Sequence, residues 1–246
     1  MDVTRLQDDW EHFGAHDPMW AVLTTGEDAG RRWDPEEFFA SGRADVAAWL
    51  QRLADAGGTP CRERALDFGC GVGRLSQALA LHFDRVVGVD IARPMLAAAE
   101  RHNRHGDRIQ FVHNTRPDLT KFGDAEFDLV LSHIVLQHMP SRVAVGYLRE
   151  FLRVLRPGGS LIFQVPTARV QRRWRYALLS AFPTVTNAYR RLRYGPSPHR
   201  EMHLVPPHDV ERTIHAGGGR ILAIDHVDAT GPEFQSSIHY AAKSVR

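Results

Sequence analysis

Two acids and a run of glycines are spaced so that they could hold a ligand bearing a ribose. Asp67 precedes Gly69-Cys70-Gly71-Val72-Gly73, and Asp90 closes the next apolar run, Val86-Val87-Gly88-Val89. Glycine lets the backbone turn tightly and approach a ligand closely. An acid ending the second strand of such a unit is placed to accept bonds from both hydroxyls of a ribose. A dinucleotide site would read G-x-G-x-x-G, with its pyrophosphate on the helix N-terminus. Here Arg74 stands where the third glycine should be. An acid beside the turn, Asp67, suits an ammonium better than a pyrophosphate.

These residues need strands and helices to position them. Residues 65–68 form a short apolar run before the glycine turn, and Leu75, Leu79 and Phe83 then fall on one helical face. Pro94 opens a helix from Met95 to about His102, and residues 109–112 read as a third strand. Residues 127–132 read as a fourth, followed by a helix whose apolar stripe is Val143, Tyr147, Leu148, Phe151, Leu152 and Leu155. Pro157-Gly158-Gly159 stops that helix, and residues 160–165 are the fifth strand. A helix then runs from Pro206-Pro207-His208-Asp209 to Gly217-Gly218-Gly219. Residues 221–227 and 234–241 are a final pair of strands, hairpinned through Gly231-Pro232.

Three stretches carry a resemblance. Asp67-x-Gly-x-Gly-x-Gly, FDLVLSHIVLQHMP at 127–140 and LRPGGSLIFQVP at 155–166 occur in this order. Together with the acid at Asp90 they resemble the class I S-adenosylmethionine (SAM)-dependent methyltransferases, and among them small-molecule and sugar O-methyltransferases. The resemblance covers residues 65–166, the cofactor half of the chain. It implies an α/β fold: a Rossmann-like seven-stranded sheet with helices on both faces and strand 7 antiparallel. The cofactor implied is SAM, with S-adenosylhomocysteine (SAH) as product. Its site would comprise Asp67, Gly69, Cys70, Gly71 and Asp90, with Ile91 and Met95 sandwiching the adenine. In this family the turn after strand three commonly holds a polar residue that bonds the adenine amino group; Asn114, which can donate and accept, occupies it. Each of these has a plainer alternative in core packing or an ordinary turn.

The same fold places Ser132 and His133 at the carboxyl edge of the sheet, beside the reactive methyl. Methyl transfer from a sulfonium mostly requires alignment of acceptor and methyl group, and an oxygen of high pKa also needs a base. Of the chain's 14 histidines, His133 and His138 lie at that edge, where ligands bind in open α/β folds. In O-methyltransferases similar to this one the histidine of the L-x-H-M/I motif can act as general base; here it is His138. The implied reaction is methylation of a hydroxyl on a small-molecule or glycan-type acceptor. The alternatives are N-methylation of a small amine and a non-catalytic SAM-fold binding protein. Between His199 and His203 the glutamate, Glu201, is not in the H-E-x-x-H place, and no metal is expected.

Residues 1–60 precede the first strand and are rich in Trp and Phe. Asp34 as N-cap and Pro35 open a helix to about Leu53. The aromatics either pack on the sheet edge or form a helical lid over the cofactor, and Arg43 on that helix either reaches the SAM carboxylate as a guanidinium fork or is solvated. Residues 61–246 form the methyltransferase domain, with 167–207 as a basic cap insertion. Residues 167–200 hold eight arginines and no Asp, Glu or Lys, against a net charge of +2 for the whole chain, so the remainder is −6. That run is a solvated face, a cap drawing in an anionic acceptor, or a dock on an acidic membrane surface. Nucleic acid is not an expected partner, because the strand-four motif lacks N/D-P-P-Y/F and no RNA module is present. Hydrophobic content of 43% and two cysteines fit a reducing cytoplasm, and residues 1–10 do not read as a signal peptide. Oligomeric state is left open.

Overall fold

The computed structural model describes residues 3–23, 33–169, 202–227 and 234–245. Three helices come first: α1 (Val3–His16), α2 (Pro18–Val22) and α3 (Pro35–Asp55). Then follow β1 (Arg64–Phe68), α4 (Arg74–Leu79), β2 (Arg85–Asp90), α5 (Arg93–His102) and β3 (Ile109–His113). The chain continues through β4 (Phe127–Ser132), α6 (Ser141–Val154) and β5 (Leu155–Arg169), and closes with α7 (Pro207–Ala216), β6 (Gly219–Val227) and β7 (Phe234–Lys243). The strands form one seven-stranded sheet in the order β3-β2-β1-β4-β5-β7-β6. β1 to β5 pair in parallel, and β7 runs antiparallel to β5 and β6. This is the sheet the motifs imply.

The order reverses between β1 and β4, and ligands bind at such a switch point, outside the carboxyl ends of the strands. The glycine turn, Asp90 and the β4 exit all meet there. β5 is longer than residues 160–165 at both ends. Leu155 already pairs with Phe127, and an irregularity then absorbs Pro157-Gly158-Gly159 before Ser160 pairs with Leu129. At the far end β7 carries the pairing to Arg169, opposite Phe234. The arginines at 172–200 and the Gly231-Pro232 turn lie outside the described residues.

Helix α3 starts as its sequence dictates. The Asp34 carboxylate accepts from Glu36 N at 2.9 Å and Glu37 N at 3.1 Å, with Pro35 in the first turn. One face carries Val46 and Leu53 into a core shared with Leu75, Leu79, Ile162 and Tyr240. Arg74 locks this contact. It is 2% exposed, and its guanidinium donates to Asp45 at 2.7 Å and Ser41 Oγ at 3.1 Å. Gly42 admits the close approach, since a Cβ there would sit 2.7 Å from the Arg74 carbonyl oxygen. The opposite face of the sheet packs Phe127, Leu161 and Phe163 against α6, with Phe151, and α7, with Ile214. Phe13, Phe38 and Phe39 form a third cluster with Val72 and Met95. The leading phenylalanines are therefore core, while Trp10, Trp33 and Trp49 are partly buried against the clusters.

Candidate active site

A cavity of about 820 Å³, open solvent at its mouth included, lies at the carboxyl edge of the sheet. Its floor is the end of β1, the glycine turn and the end of β2. Phe68, Gly69, Gly71, Val89 and Asp90 line that part, and Ile91 and Met95 continue it. Both turn glycines adopt positive φ, 75° at Gly69 and 53° at Gly71. A Cβ at Gly69 would meet Val135 Cγ2 at 2.3 Å, and one at Gly71 would meet Val22 Cγ2 at 2.6 Å. Only glycine leaves the turn both its conformation and its close neighbours.

Asp90 is held by its surroundings. One carboxylate oxygen accepts from Gly71 N and the other from Ala92 N, each at 2.9 Å. Burial raises its pKa, opposed by those backbone N–H groups. Each oxygen keeps a further lone pair for a hydroxyl. Beside Asp90, Asn114 donates its backbone N–H to Asp90 O at 3.0 Å and is 4% exposed. Its Nδ2 donates to the carbonyls of Asp118 (2.8 Å) and Arg116 (3.2 Å). Those carbonyls can only accept, so the amide orientation is fixed. Its Oδ1 is buried without a hydrogen-bond partner. An orphaned acceptor is costly, and an adenine amino group would satisfy it. The cradle of glycines, the spare lone pairs of Asp90 and this oxygen fit a nucleoside cofactor.

Both candidate histidines line the cavity. His133 packs on Trp49, ring centroids 4.6 Å apart, and burial, with help from Arg74, drives its pKa down to about 3. His138 lies edge-on to Trp10 at 5.2 Å. Four expected cofactor residues do not line the cavity. Asp67 is buried and accepts from Ser76 Oγ at 2.6 Å. Cys70 and Ser132 are also buried. Arg43 is an exposed residue paired with Glu36 at 2.9 Å. Sequence reasoning passed over Leu6, Val22 and Tyr147, which do line the cavity. The Tyr147 signal was a lone phenol inside an apolar stripe; it donates to Arg116 O at 2.6 Å. Among the described residues, no helix is long and apolar enough to cross a membrane.

The comparisons bear on this geometry. Residues 66–163 match the family described as a methyltransferase domain. This stretch is a SAM-dependent methyltransferase domain. The domain resembles ubiquinone biosynthesis O-methyltransferase of Pseudomonas syringae pv. tomato, at 32% identity over 140 residues, 55% of this chain and 57% of that one. The Bordetella pertussis protein of the same name is 29% identical over 136 residues, 55% of this chain and 56% of the relative. The matches thus span little more than half the length of these relatives. In fold, the methyltransferase domain and its flanks resemble magnesium protoporphyrin IX methyltransferase from Synechocystis PCC 6803, solved with SAH. The TM-score is 0.68 at 20% identity, covering 99% of this chain and 100% of that one. A SAM-dependent methyltransferase from Methanosarcina mazei gives 0.59 at 21% identity, covering 76% and 95%.

The methyltransferase domain carries one buried acid whose ionisation can be followed. Burial raises the Asp67 pKa to about 7, opposed by Ser76 Oγ and Arg74. In the unfolded chain it titrates near ~3.9. As pH rises between these values the unfolded state loses its proton first, so this group lowers stability across that window and adds no slope above it. Asp67→Asn is expected to flatten that fall and to melt higher than the parent above pH 7. Melting curves from pH 4 to 8 check this; identical slopes would show that the carboxyl is ionised throughout.

Proposed function

We propose that the chain is a SAM-dependent O-methyltransferase acting on a small molecule. The observation that carries the reading is the presence, side by side in one cavity, of Asp90 and the orphaned buried Oδ1 of Asn114. Asp90 takes the ribose hydroxyls, Asn114 the adenine amino group, and Ile91 and Met95 the faces of the base. Gly69 and Gly71 let the cofactor's tail pass close to the backbone, with Asp67, Cys70 and Ser132 supporting that turn from behind. The cofactor supplies an activated methyl group. The chain's own task is alignment and exclusion of water. His138 and His133 meet the acceptor, while Leu6, Trp10 and Val22, from the two leading helices, close the cavity. Residues 1–60 act as lid, 61–246 as the catalytic domain, and 167–207 as a basic cap. Oxygen is preferred as the methylated atom because the aligned relatives are named O-methyltransferases.

Calorimetry with SAH and NADH, followed by transfer of labelled methyl from SAM to a panel of phenols, carboxylic acids, alcohols and amines, tests this. SAH should bind and NADH should not, and label should appear on oxygen. Tighter binding of NADH, or label found only on amines, would overturn the reading.

A further inference from the structure

The chain leaves β4 through a residue whose side chain disfavours the turn it makes. Among the described residues, Ala125 and Ile134 hold positive φ without being glycine, and of the two Ile134, at φ 60°, lines the cavity. For a β-branched residue this conformation is rare and strained, and it persists where the surroundings over-determine it. Gln164, fully buried on β5, supplies such a hold. Its Oε1 accepts from the Ile134 backbone N–H at 3.0 Å. Its Nε2 donates to Ser236 Oγ of β7 at 2.7 Å and to Gln137 Oε1 at 3.2 Å. A backbone N–H can only donate, so a flipped amide would set donor against donor at Ile134. The Gln164 oxygen therefore grips the turn from a base fixed within the sheet.

The turn decides where two cavity walls stand. In an extended strand residues 133 and 135 would share a face. Here they part. His133 packs on Trp49 of α3, ring centroids 4.6 Å apart, and Trp49 lies against the core under α3. Val135 packs instead against the core under α6. It also sits directly on the glycine turn: a Cβ at Gly69 would meet Val135 Cγ2 at 2.3 Å and Cγ1 at 2.6 Å. His133, Val135 and Gly69 all line the cavity. Returning Ile134 to negative φ would redirect the chain after it and lift Val135 from Gly69.

We propose that Gln164 is a positioning residue for cofactor binding: its side-chain oxygen holds Ile134 at positive φ and so seats Val135 on Gly69, as the wall against which the cofactor's tail lies. The inference rests on the methyltransferase reading, in which that tail passes Gly69. Gln164 is not part of the cavity lining and acts through Ile134. Without the clamp the strained turn becomes the costlier of two arrangements. Apparent affinity then falls by the fraction of molecules that still hold the competent one.

Calorimetry with SAH on the full chain tests this, in the parent, Gln164→Met, Ile134→Asn and the double variant. Methionine matches glutamine in length and lacks the amide oxygen. Asparagine tolerates positive φ far better than isoleucine. On the parent background Gln164→Met should weaken SAH binding at least ~10-fold, the lower range of what one strained residue releases. On the Ile134→Asn background the same change should cost no more than about 2-fold, the scatter of independent sites. An equal loss on both backgrounds, or no loss on the parent, would overturn the proposal. A glutamine that only supports the fold would lower the melting temperature on both backgrounds and leave no such difference in affinity. If Gln164→Met does not fold, Ile134→Pro decides, since it leaves β5 intact and cannot adopt positive φ. It should lose SAH affinity to the same extent, and parental affinity in that variant would overturn the clamp. Failure of the parent to bind SAH would instead sink the methyltransferase reading. The clamp is then decided without ligand, by the nuclear Overhauser contact between the Val135 methyls and Gly69 Hα. That contact should be present in the parent, lost in Gln164→Met and Ile134→Pro, and regained in the double variant; its persistence in the two single variants would remove the clamp.

Discussion

Asp90→Ala is expected to weaken SAH binding by about 1.5–3 kcal/mol, the worth of hydrogen bonds to a charged group, or roughly 10- to 150-fold. Two contributions act together. The ribose hydroxyls lose their charged acceptor. The turn also loses the bond from Gly71 N, and Ala92 N loses its partner, each 2.9 Å from the carboxylate. Asp90→Asn should fall between, since one amide oxygen can serve only one of the two backbone donors. The pH dependence has a definite sign. Burial raises the Asp90 pKa, so in the parent protein affinity should drop as pH falls through that raised value, and in Asp90→Ala that drop should vanish. Calorimetry across pH on the three proteins measures all of this. Equal affinities in parent and Asp90→Ala would remove Asp90 from the site.

How much of this was readable in the sequence depends on the range of the interaction concerned. The strand, glycine turn, helix, strand and acid of residues 65–90 are local features and appear in the expected order, although α4 ends at Leu79, short of Phe83. Asp34 capping α3 is local too. β5 outgrew its expected bounds because its length is set by its neighbours: β4 picks up Leu155 before the irregularity, and β7 extends the pairing to Arg169. The cavity residues from α1 and α2 were illegible for a similar reason. Leu6 and Val22 look like any apolar residues of a short helix, and only tertiary docking brings them over the glycine turn. Arg74 reads as a disqualified third glycine. Its role, a buried guanidinium clamping α3 to α4, depends on Ser41 and Asp45, far away in sequence. The clamp of Gln164 on Ile134 lies further still from sequence reasoning, since Gln164 reads as a polar interruption in an apolar strand. Glutamine inside a central strand, with serine two strands-worth of chain away as partner, carries no local pattern.

Phe151→Ala should be the most destabilising of the substitutions considered, at about 3–5 kcal/mol. Phe151 is fully buried on α6, within the core between that helix and the sheet. Its ring lies edge-on to Phe68 at 5.0 Å and stacks on Tyr147 at 6.2 Å, while Phe68 and Tyr147 are themselves 4.5 Å apart. At roughly 2–4 °C per kcal/mol for a chain of this size, the melting temperature should fall by about 6–20 °C. The effect should not stop at stability. Phe68 ends β1 and Tyr147 rises from α6, and both line the cavity. A void beneath them lets both rings settle inward and pulls on the bond from the Tyr147 hydroxyl to Arg116 O, one of the two carbonyls that orient Asn114. SAH at a hundred times its dissociation constant returns ~2.7 kcal/mol to any protein that binds it only when folded. At one fixed SAH concentration Phe151→Ala should therefore gain fewer degrees than the parent, because its affinity is lower. Phe127→Ala serves as the comparison, since that residue packs in the same core and does not line the cavity. It should lose stability and keep the parent's gain per unit of SAH. If both variants gain equally, the aromatic cluster supports the fold alone and the cavity floor is held by the glycine turn without it.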